Sequence, residues 1–506
     1  MLNASRPLTS LPLHGVAASR AIEQMAQAAL PAHSLMRRAG AAVARLALAV
    51  APHAQRVWIA AGPGNNGGDG LEAAIHLLRA GREVRVTLIG YAAALPPDAA
   101  AALRRAQSAG VDIGAAGAPP LERHDLAIDA LLGLGASRAP QDGLAATIAE
   151  LNALACTVLA VDVPSGLNSE TGQPLGAACV RAAHTVALLT LKPGLFTGQG
   201  RDLAGEVWFD DLDVGPSTQA PDAWLTGADA ARAVPAPRRH AQHKGSFGDL
   251  AVVGGAAGMT GAAVLAARAA HAAGAGRVYV NQLDVEAPDL DIARPELMFR
   301  RAWWQEEPPV IAGATVVCGC GGGDAVREAL PRLLSLATRL VLDADALNAI
   351  ASDESLQTQL AARAARAQAT VLTPHPLEAA RLLGRSAREV QEDRLHAAQT
   401  LAERFGCVVL LKGSGSIVAA PGRVPAINPT GSASLATAGT GDVLAGWLGG
   451  LWAQCGRTES AFDLAAAAAH AHGAAADAAD VAPLRAGDLI EAMLRGANAP
   501  ARAAGQ

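Results

Sequence analysis

The sequence predicts an α/β chain of two consecutive domains, each a mostly parallel sheet covered by helices. Three observations predict it. Short apolar runs of strand length alternate with helix-like stretches through most of the chain, as a parallel sheet with crossover connections requires. The alternation breaks once, at 214–239, where Gly215, Pro216, Pro221, Pro235 and Pro237 fall in a stretch without sustained periodicity, and then restarts. Hydrophobic residues make up 51% of the 506 positions but aromatics only 3%, so the cores are built from Ala, Val and Leu, which suits helices on sheets better than a β-sandwich.

In the first half, Val57–Ala61 reads as a buried strand, Leu71–Ala80 as a helix closed by Gly81, and Val84–Ile89 as the next strand. Strands at 126–129, 158–163, 185–191 and 207–212 follow. The second half restarts at 250–253 and continues with strands at 277–280, 315–318, 340–342, 371–373 and 407–411. Helices are expected at 261–273, 325–337, 377–383, 386–405, 440–454 and 461–479. The domains are therefore placed at 1–219 and 240–506, with 220–239 as linker. The two halves are not repeats of each other.

Composition excludes several classes. The net charge is −5 with no basic block, so the electrostatic footprint of a nucleic-acid binder is missing. Cys156, Cys179, Cys318, Cys320, Cys407 and Cys455 form no C-x-x-C pair and read as buried small hydrophobes in a reducing compartment. The opening M-L-N-A-S-R-P-L-T-S lacks a signal-peptide core. The uncharged run 250–267 is too short and Gly-rich for a membrane span. A cytoplasmic homo-oligomer without membrane or nucleic-acid partners is expected.

The sharpest motif in the first half is Gly62-Pro63-Gly64-Asn65-Asn66-Gly67-Gly68-Asp69-Gly70, between a strand and a helix. Glycines let backbone approach a ligand, and amides at a helix start face an anion. Asp129 ends a second strand and opens Leu131-Leu132-Gly133-Leu134-Gly135-Ala136-Ser137-Arg138. Asp162 lies in a third strand-end loop, Val161-Asp162-Val163-Pro164-Ser165-Gly166. Singly, each is a common turn residue. All three loops fall at the C-terminal edge of a parallel sheet, where ligands bind. Carboxylate, amide and hydroxyl oxygens without Cys or His suit a hard cation.

Together with Leu35-Met36-Arg37-Arg38-Ala39-Gly40, in which Arg37 stands where an acidic residue is expected, these loops resemble the NAD(P)H-hydrate epimerase family over roughly 10–215. The resemblance implies a Rossmann-like three-layer α/β/α domain that interconverts the R and S hydrates at C6 of the nicotinamide ring. It implies that Asn65, Asn66, Gly67, Gly68 and Asp69, with Gly133, Leu134, Gly135, Ala136, Ser137, Arg138 and Ala139, bind the hydrate, and that Asp162 contacts it. Asn66, Asp129 and Ser165 are the implied K+ ligands, and Asp129 the expected source of acid–base help.

In the second half, Gly439-Thr440-Gly441-Asp442 precedes the apolar helix 443–451. Amides at that helix start form an anion hole, and Asp442 is placed to act as a general base or as a helix cap. Lys412-Gly413-Ser414-Gly415-Ser416 offers a cation, hydroxyls and amides to phosphates. With Lys244-Gly245-Ser246, Asp343-Ala344-Asp345-Ala346-Leu347-Asn348 and Thr373-Pro374-His375-Pro376, these segments resemble the ribokinase-like α/β fold and, within it, the ADP-dependent NAD(P)H-hydrate dehydratases, over roughly 240–495. The resemblance implies that Ala263, Gly323, His375 and Asp442 contact the S form of NADHX or NADPHX. It implies that Lys412, Gly413, Ser414, Gly415, Ser416 and Gly441 contact ADP, with Mg2+ required. Gly319-Cys320-Gly321-Gly322-Gly323 stands where the family carries G-P-G-L-G. The alternative is a vitamin-precursor or sugar kinase joined to a non-catalytic interaction domain. Lys244, His375, Asn66, Asp129 and Asp162 favour the repair reading.

Overall fold

A computed structural model describes residues 1–90, 95–115, 117–232, 238–455, 460–479 and 483–498. The chain divides into two compact units, Met1–Pro7 with Pro12–Trp224, and Leu8–Leu11 with Leu225–Gln506. No described helix is long and apolar enough to cross a membrane.

In the first unit, strand order across the sheet is Leu2–Asn3, Glu206–Asp210, His184–Leu188, Thr157–Val161, Leu126–Ala130, Arg56–Ala61, Glu83–Leu88 and Asp112–Gly114. All pair in parallel except Leu2–Asn3. Strand periodicity sets the layers. Val57, Ile59 and Ala61 face one core with helices Ser34–Val50, Asn65–Arg79 and Pro97–Ser108, while Trp58 and Ala60 face the other with Ile148 and Leu151 of helix Asp142–Ala153. Among the parallel strands the chain lays Arg56–Ala61 first, moves outward on one side, then returns to place Leu126–Ala130 on the other. That reversal leaves a crevice between the loops after these two strands.

The second unit repeats the principle. Met298–Phe299, Arg277–Gln282, Asp249–Gly254, Thr315–Cys318, Arg339–Leu342, Ala369–Leu372 and Val408–Leu411 run in parallel in that order. An antiparallel hairpin, Ile417–Ala420 and Arg423–Ile427, continues the sheet. Its core is Ala-rich: helices Thr260–Ala272, Thr440–Gln454 and Ala461–Asp477 pack closely because Gly446 and Gly450 meet the backbone of Ala266 and Ala270, where a methyl would come within 2.0 and 2.3 Å of a carbonyl oxygen.

Three expectations are corrected. The helix expected from Leu71 begins at Asn65, because tertiary packing overrides the poor helix propensity of Asn and Gly. The helix expected over 386–405 is two, Ala387–Glu392 and Arg394–Phe405. Asp393 leaves helical geometry at φ −143° and caps the second by accepting the His396 amide at 3.0 Å. The stretch 220–239 holds strand Ala223–Leu225 and helix Ala228–Arg232, while its residues 233–237 lie outside those described.

Candidate active sites

A cleft of about 450 Å³ opens at the reversal in the first sheet, lined among others by Glu23, Asn66, Asp69, Gly133, Asp162 and Lys192. Asn65 and Asn66 form the first turn of helix Asn65–Arg79, whose first intrahelical bond runs from the Gly68 amide to the Gly64 carbonyl at 3.3 Å. The amides of Asn65 and Asn66 remain open donors at the cleft. Gly67 and Gly68 do not line it. A methyl on Gly67 would lie 2.1 Å from the Gly62 carbonyl oxygen, and one on Gly68 2.6 Å from Met36, so both let the helix start pack tightly. Gly133 to Ala136 form the opposite lip. Ser137 to Ala139 continue past it, with Ala139 packed on Gly176.

Asp162 is a non-glycine residue at φ +68°. Its carboxylate accepts the amides of Leu134 at 3.1 Å and Leu188 at 3.4 Å and pairs with the Lys192 ammonium. Lys192, 1% exposed, also donates to the carbonyls of Leu188 at 2.9 Å and Thr190 at 2.8 Å. Every ammonium hydrogen has an acceptor, which is what a buried charge needs. Asp69 and Glu23 face the same space. Desolvation, reinforced by the charge of Asp162, pushes Asp69 well above the ordinary carboxylate range and raises Glu23.

Asp129 lies behind the cleft wall. It is fully buried and accepts the Ser165 hydroxyl at 2.6 Å, the Ser165 amide at 2.8 Å and the Leu131 amide at 3.2 Å. Burial pushes its carboxyl up to about 6 against these three donors. The Leu132 amide donates to the Ser165 hydroxyl at 2.8 Å, tying the pair to the glycine lip. Asn66 touches the same lip at Gly133, and its carboxamide leaves one buried polar atom without a partner.

In the second unit, adjacent strand ends converge. Asp343 follows Arg339–Leu342 and is 1% exposed. It accepts the Lys412 ammonium at 2.6 Å and the Thr373 hydroxyl at 2.7 Å. The Cys320 thiol donates to it at 3.9 Å. Asp442 completes the cluster: its carboxylate, that of Asp343 and the Cys320 sulfur lie within 4.8 Å of one another. Asp442 sits in the first turn of helix Thr440–Gln454, which starts after Gly439 at φ +87°. Its first internal bond is from Val443 to the Gly439 carbonyl at 3.0 Å, so the amides of residues 440–442 stay open. Burial, then the charge of Asp343, raises Asp442 to about 7.

His375 caps helix Pro376–Leu383: its Nδ1 accepts the amides of Leu377 at 3.0 Å and Glu378 at 3.3 Å. Its Nε2 stands 3.2 Å from the Glu378 carboxyl, which burial raises to about 7. Gly441 adjoins Lys412, whose ammonium would lie 3.4 Å from a methyl placed there. Gly323, at φ +50°, donates to Asp345 at 2.9 Å. Ala263 is completely buried against Gly255 and presents no surface to a ligand; it supports the loop beside it. Gly413 to Ser416 bend around the Arg394 guanidinium, which donates to the Lys412 carbonyl at 3.2 Å.

The NAD(P)H-hydrate dehydratase family matches residues 250–493, and the YjeF-related protein N-terminus family matches 32–194. The bifunctional NAD(P)H-hydrate repair enzyme of Escherichia coli is 37% identical over 460 residues, covering 88% of this chain and 85% of that protein. The chain belongs to the bifunctional NAD(P)H-hydrate repair enzymes. The Coxiella burnetii member is 36% identical, covering 86% of this chain and 88% of its own. A solved ADP/ATP-dependent NAD(P)H-hydrate dehydratase from Bacillus subtilis, co-crystallised with ATP and Mg2+, is 27% identical over 52% of this chain and 94% of its own, with a TM-score of 0.41.

Several site residues of this repair-family chain carry little local signal in the sequence. Lys192 had a signal: it is the lone charge ending the apolar run T-V-A-L-L-T-L-K. The scattered cysteine pattern predicts core packing for Cys320, yet its sulfur faces two carboxylates. Arg394 is 1% exposed, and nothing local marks it as the clamp of a loop that follows it in sequence. His472 donates to the Thr440 carbonyl at 2.9 Å, and burial holds it down at about 4, so it stays neutral.

Proposed function

We propose that the first unit epimerises the hydrates of NADH and NADPH at C6 and that the second dehydrates the S form using ADP. One observation carries it: Asp343, Lys412 and Asp442 meet beside the open amides of residues 440–442, in a chain similar over most of its length to a bifunctional repair enzyme. Hydroxide leaves poorly from C6. In the proposed reaction Asp442 takes the proton of that hydroxyl as its oxygen attacks the terminal phosphorus of ADP, giving a C6 phosphate and AMP. The ring nitrogen then expels phosphate, C5 loses a proton, and the C5=C6 double bond returns. Lys412 and the helix amides stabilise the charge moving onto the phosphoryl oxygens. His375 and Asp442 contact the hydrate, and Lys412 to Ser416 with Gly441 hold the nucleotide. Mg2+ carried by the nucleotide would supply positive charge to the phosphates.

In the first unit, Asn66, Asp129 and Ser165 would hold K+. The fit is supported by the chemistry of an oxygen-only set: the Ser165 hydroxyl and the Asp129 carboxylate meet at 2.6 Å behind the Gly133 lip, beside which the Asn66 Oδ1 lies. K+ held there would supply positive charge behind the cleft wall. Replacing it by Li+ is expected to slow epimerisation, measured by separating the epimers chromatographically.

Absorbance of NADH recovered from purified hydrate, with and without ADP, tests the whole reading. S hydrate should give NADH only with nucleotide, and R hydrate should give it after inversion. A stable phosphorylated product without NADH would make the second unit a kinase.

A further inference from the structure

Asp129 makes a poor proton carrier for the first unit. Both its oxygens are taken by Ser165 and Leu131, it has no exposed surface, and it does not line the cleft. Four other carboxylates do: Glu23, Asp69, Asp98 and Asp162. Asp98 is held by His33, and Glu23 accepts Gln27 at 3.2 Å. Asp162 is bound to Lys192 and two amides. The Asp69 carboxyl has no hydrogen-bond partner among the described residues, one turn inside the helix whose open amides border the cleft.

We propose that Asp69 and Asp162 are the acid and the base of hydrate inversion, Asp69 protonating the departing C6 hydroxyl and Asp162 accepting a proton from the water that replaces it. This rests on reading the first unit as an epimerase. The C6–O bond breaks as the proton arrives, the ring-nitrogen lone pair forms an N1=C6 double bond, and water leaves. A second water adds to the opposite face of C6 and gives its proton to Asp162. One water departs and one enters, C5 is untouched, and solvent at the cleft mouth carries the proton from Asp162 back to Asp69. The reverse inversion uses the two groups in exchanged roles. Two carboxyls of one cleft can take opposite roles because their partners differ: Asp162 is paired with the Lys192 ammonium, whereas Asp69 has only low dielectric and negative neighbours, which favour its neutral form. The same negative charge favours the cationic intermediate.

The test is inversion of pure R hydrate without nucleotide, so that the second unit is idle, followed by chromatography and mass spectrometry in H2¹⁸O. Each inversion by the unaltered chain should place one ¹⁸O at C6. Asp69→Asn, close in shape, should slow inversion ~10²-fold or more. It should keep the thermal melt and still turn S hydrate plus ADP into NADH. Asp162→Asn leaves Lys192 unpaired and risks misfolding, so the isotope result on the unaltered chain stands beside it. Inversion that retains the original oxygen, as ring opening would, overturns the proposal. So does wild-type inversion by folded Asp69→Asn. Failure of the unaltered chain to invert R hydrate at all would instead sink the epimerase reading.

Discussion

Each unit buries a lysine–aspartate pair at the C-terminal end of a parallel strand, Lys192–Asp162 in the first and Lys412–Asp343 in the second. Each also has a carboxyl raised by burial, Asp129 to about 6 and Asp442 to about 7. The resemblance stops at access. Asp442 is half-buried, sits at a helix start and faces the pair through Asp343 and Cys320. Asp129 is sealed behind its wall with every oxygen engaged. A raised pKa therefore marks burial at both of these carboxyls, but only Asp442 is placed to react. What distinguishes them is whether the carboxyl has a free lobe facing space a ligand can fill.

The largest expected effect separates the units. Asp442→Asn keeps shape and removes the base, and loss of a general base typically costs ~10²–10⁴ in rate. NADH formation from S hydrate and ADP should fall by that factor while R and S hydrates still equilibrate. If inversion stops too in a folded protein, one shared site replaces two.

Next in size is pH. With Asp442 near 7, the base is in its active form only above that point. The rate of NADH formation should drop about tenfold per pH unit below pH 7. Inversion should fade in the opposite direction, as Asp69 loses its proton at higher pH. Parallel profiles for the two activities would erase the distinction.

Asp129→Ala should act on stability more than on chemistry alone. It strands the amides of Ser165 and Leu131, at about 1–3 kcal/mol for each buried donor left unmade. The Ser165 hydroxyl has an alternative acceptor in the Leu132 carbonyl at 3.1 Å. The sign with pH follows from linkage. The folded value of about 6 lies above the ordinary 3.8, so the folded state binds the extra proton. Stability from this group is fully present below about pH 4 and is lost as pH rises through about 6. Melting of the variant should lose that trend between pH 4 and 7; a variant that melts like the unaltered chain at both would deny Asp129 its structural role.

How far these contrasts were legible in sequence depends on their range. Strand ends carrying Asp129, Asp162, Asp343 and Lys412 could be read because apolar runs stop at polar residues and parallel sheets gather their C-terminal ends. The hairpin Ile417–Ile427 was not read, since its two short strands flank a Pro-Gly turn and carry little periodicity. The start of helix Asn65–Arg79 was hidden because its glycines look like loop until the Gly62 carbonyl and Met36 are brought against them. The roles of Lys192, Arg394 and Cys320 are contacts across the fold, which no local pattern encodes. Asp129 shows the converse: its position was legible, its enclosure was not.

The smallest effect sharpens the second site. His375 both caps a helix and, in the proposed function, contacts the hydrate. Nδ1 performs the first task, and Nε2, beside Glu378, is the atom left for the second. Alanine removes both. Asparagine is a preferred N-cap, so it restores the acceptor for the Leu377 and Glu378 amides but not the ring. His375→Ala should lower the melting temperature by the equivalent of about 1 kcal/mol of lost cap and raise KM for the hydrate. His375→Asn should recover the melt and keep the raised KM. ADP affinity by calorimetry should be near wild type in both, because the Lys412 to Ser416 loop hangs on Arg394 and not on His375. If asparagine restores KM along with the melt, His375 serves the site only as a cap. The hydrate contact would then pass to Glu378, whose raised carboxyl lies within reach of the same ring nitrogen.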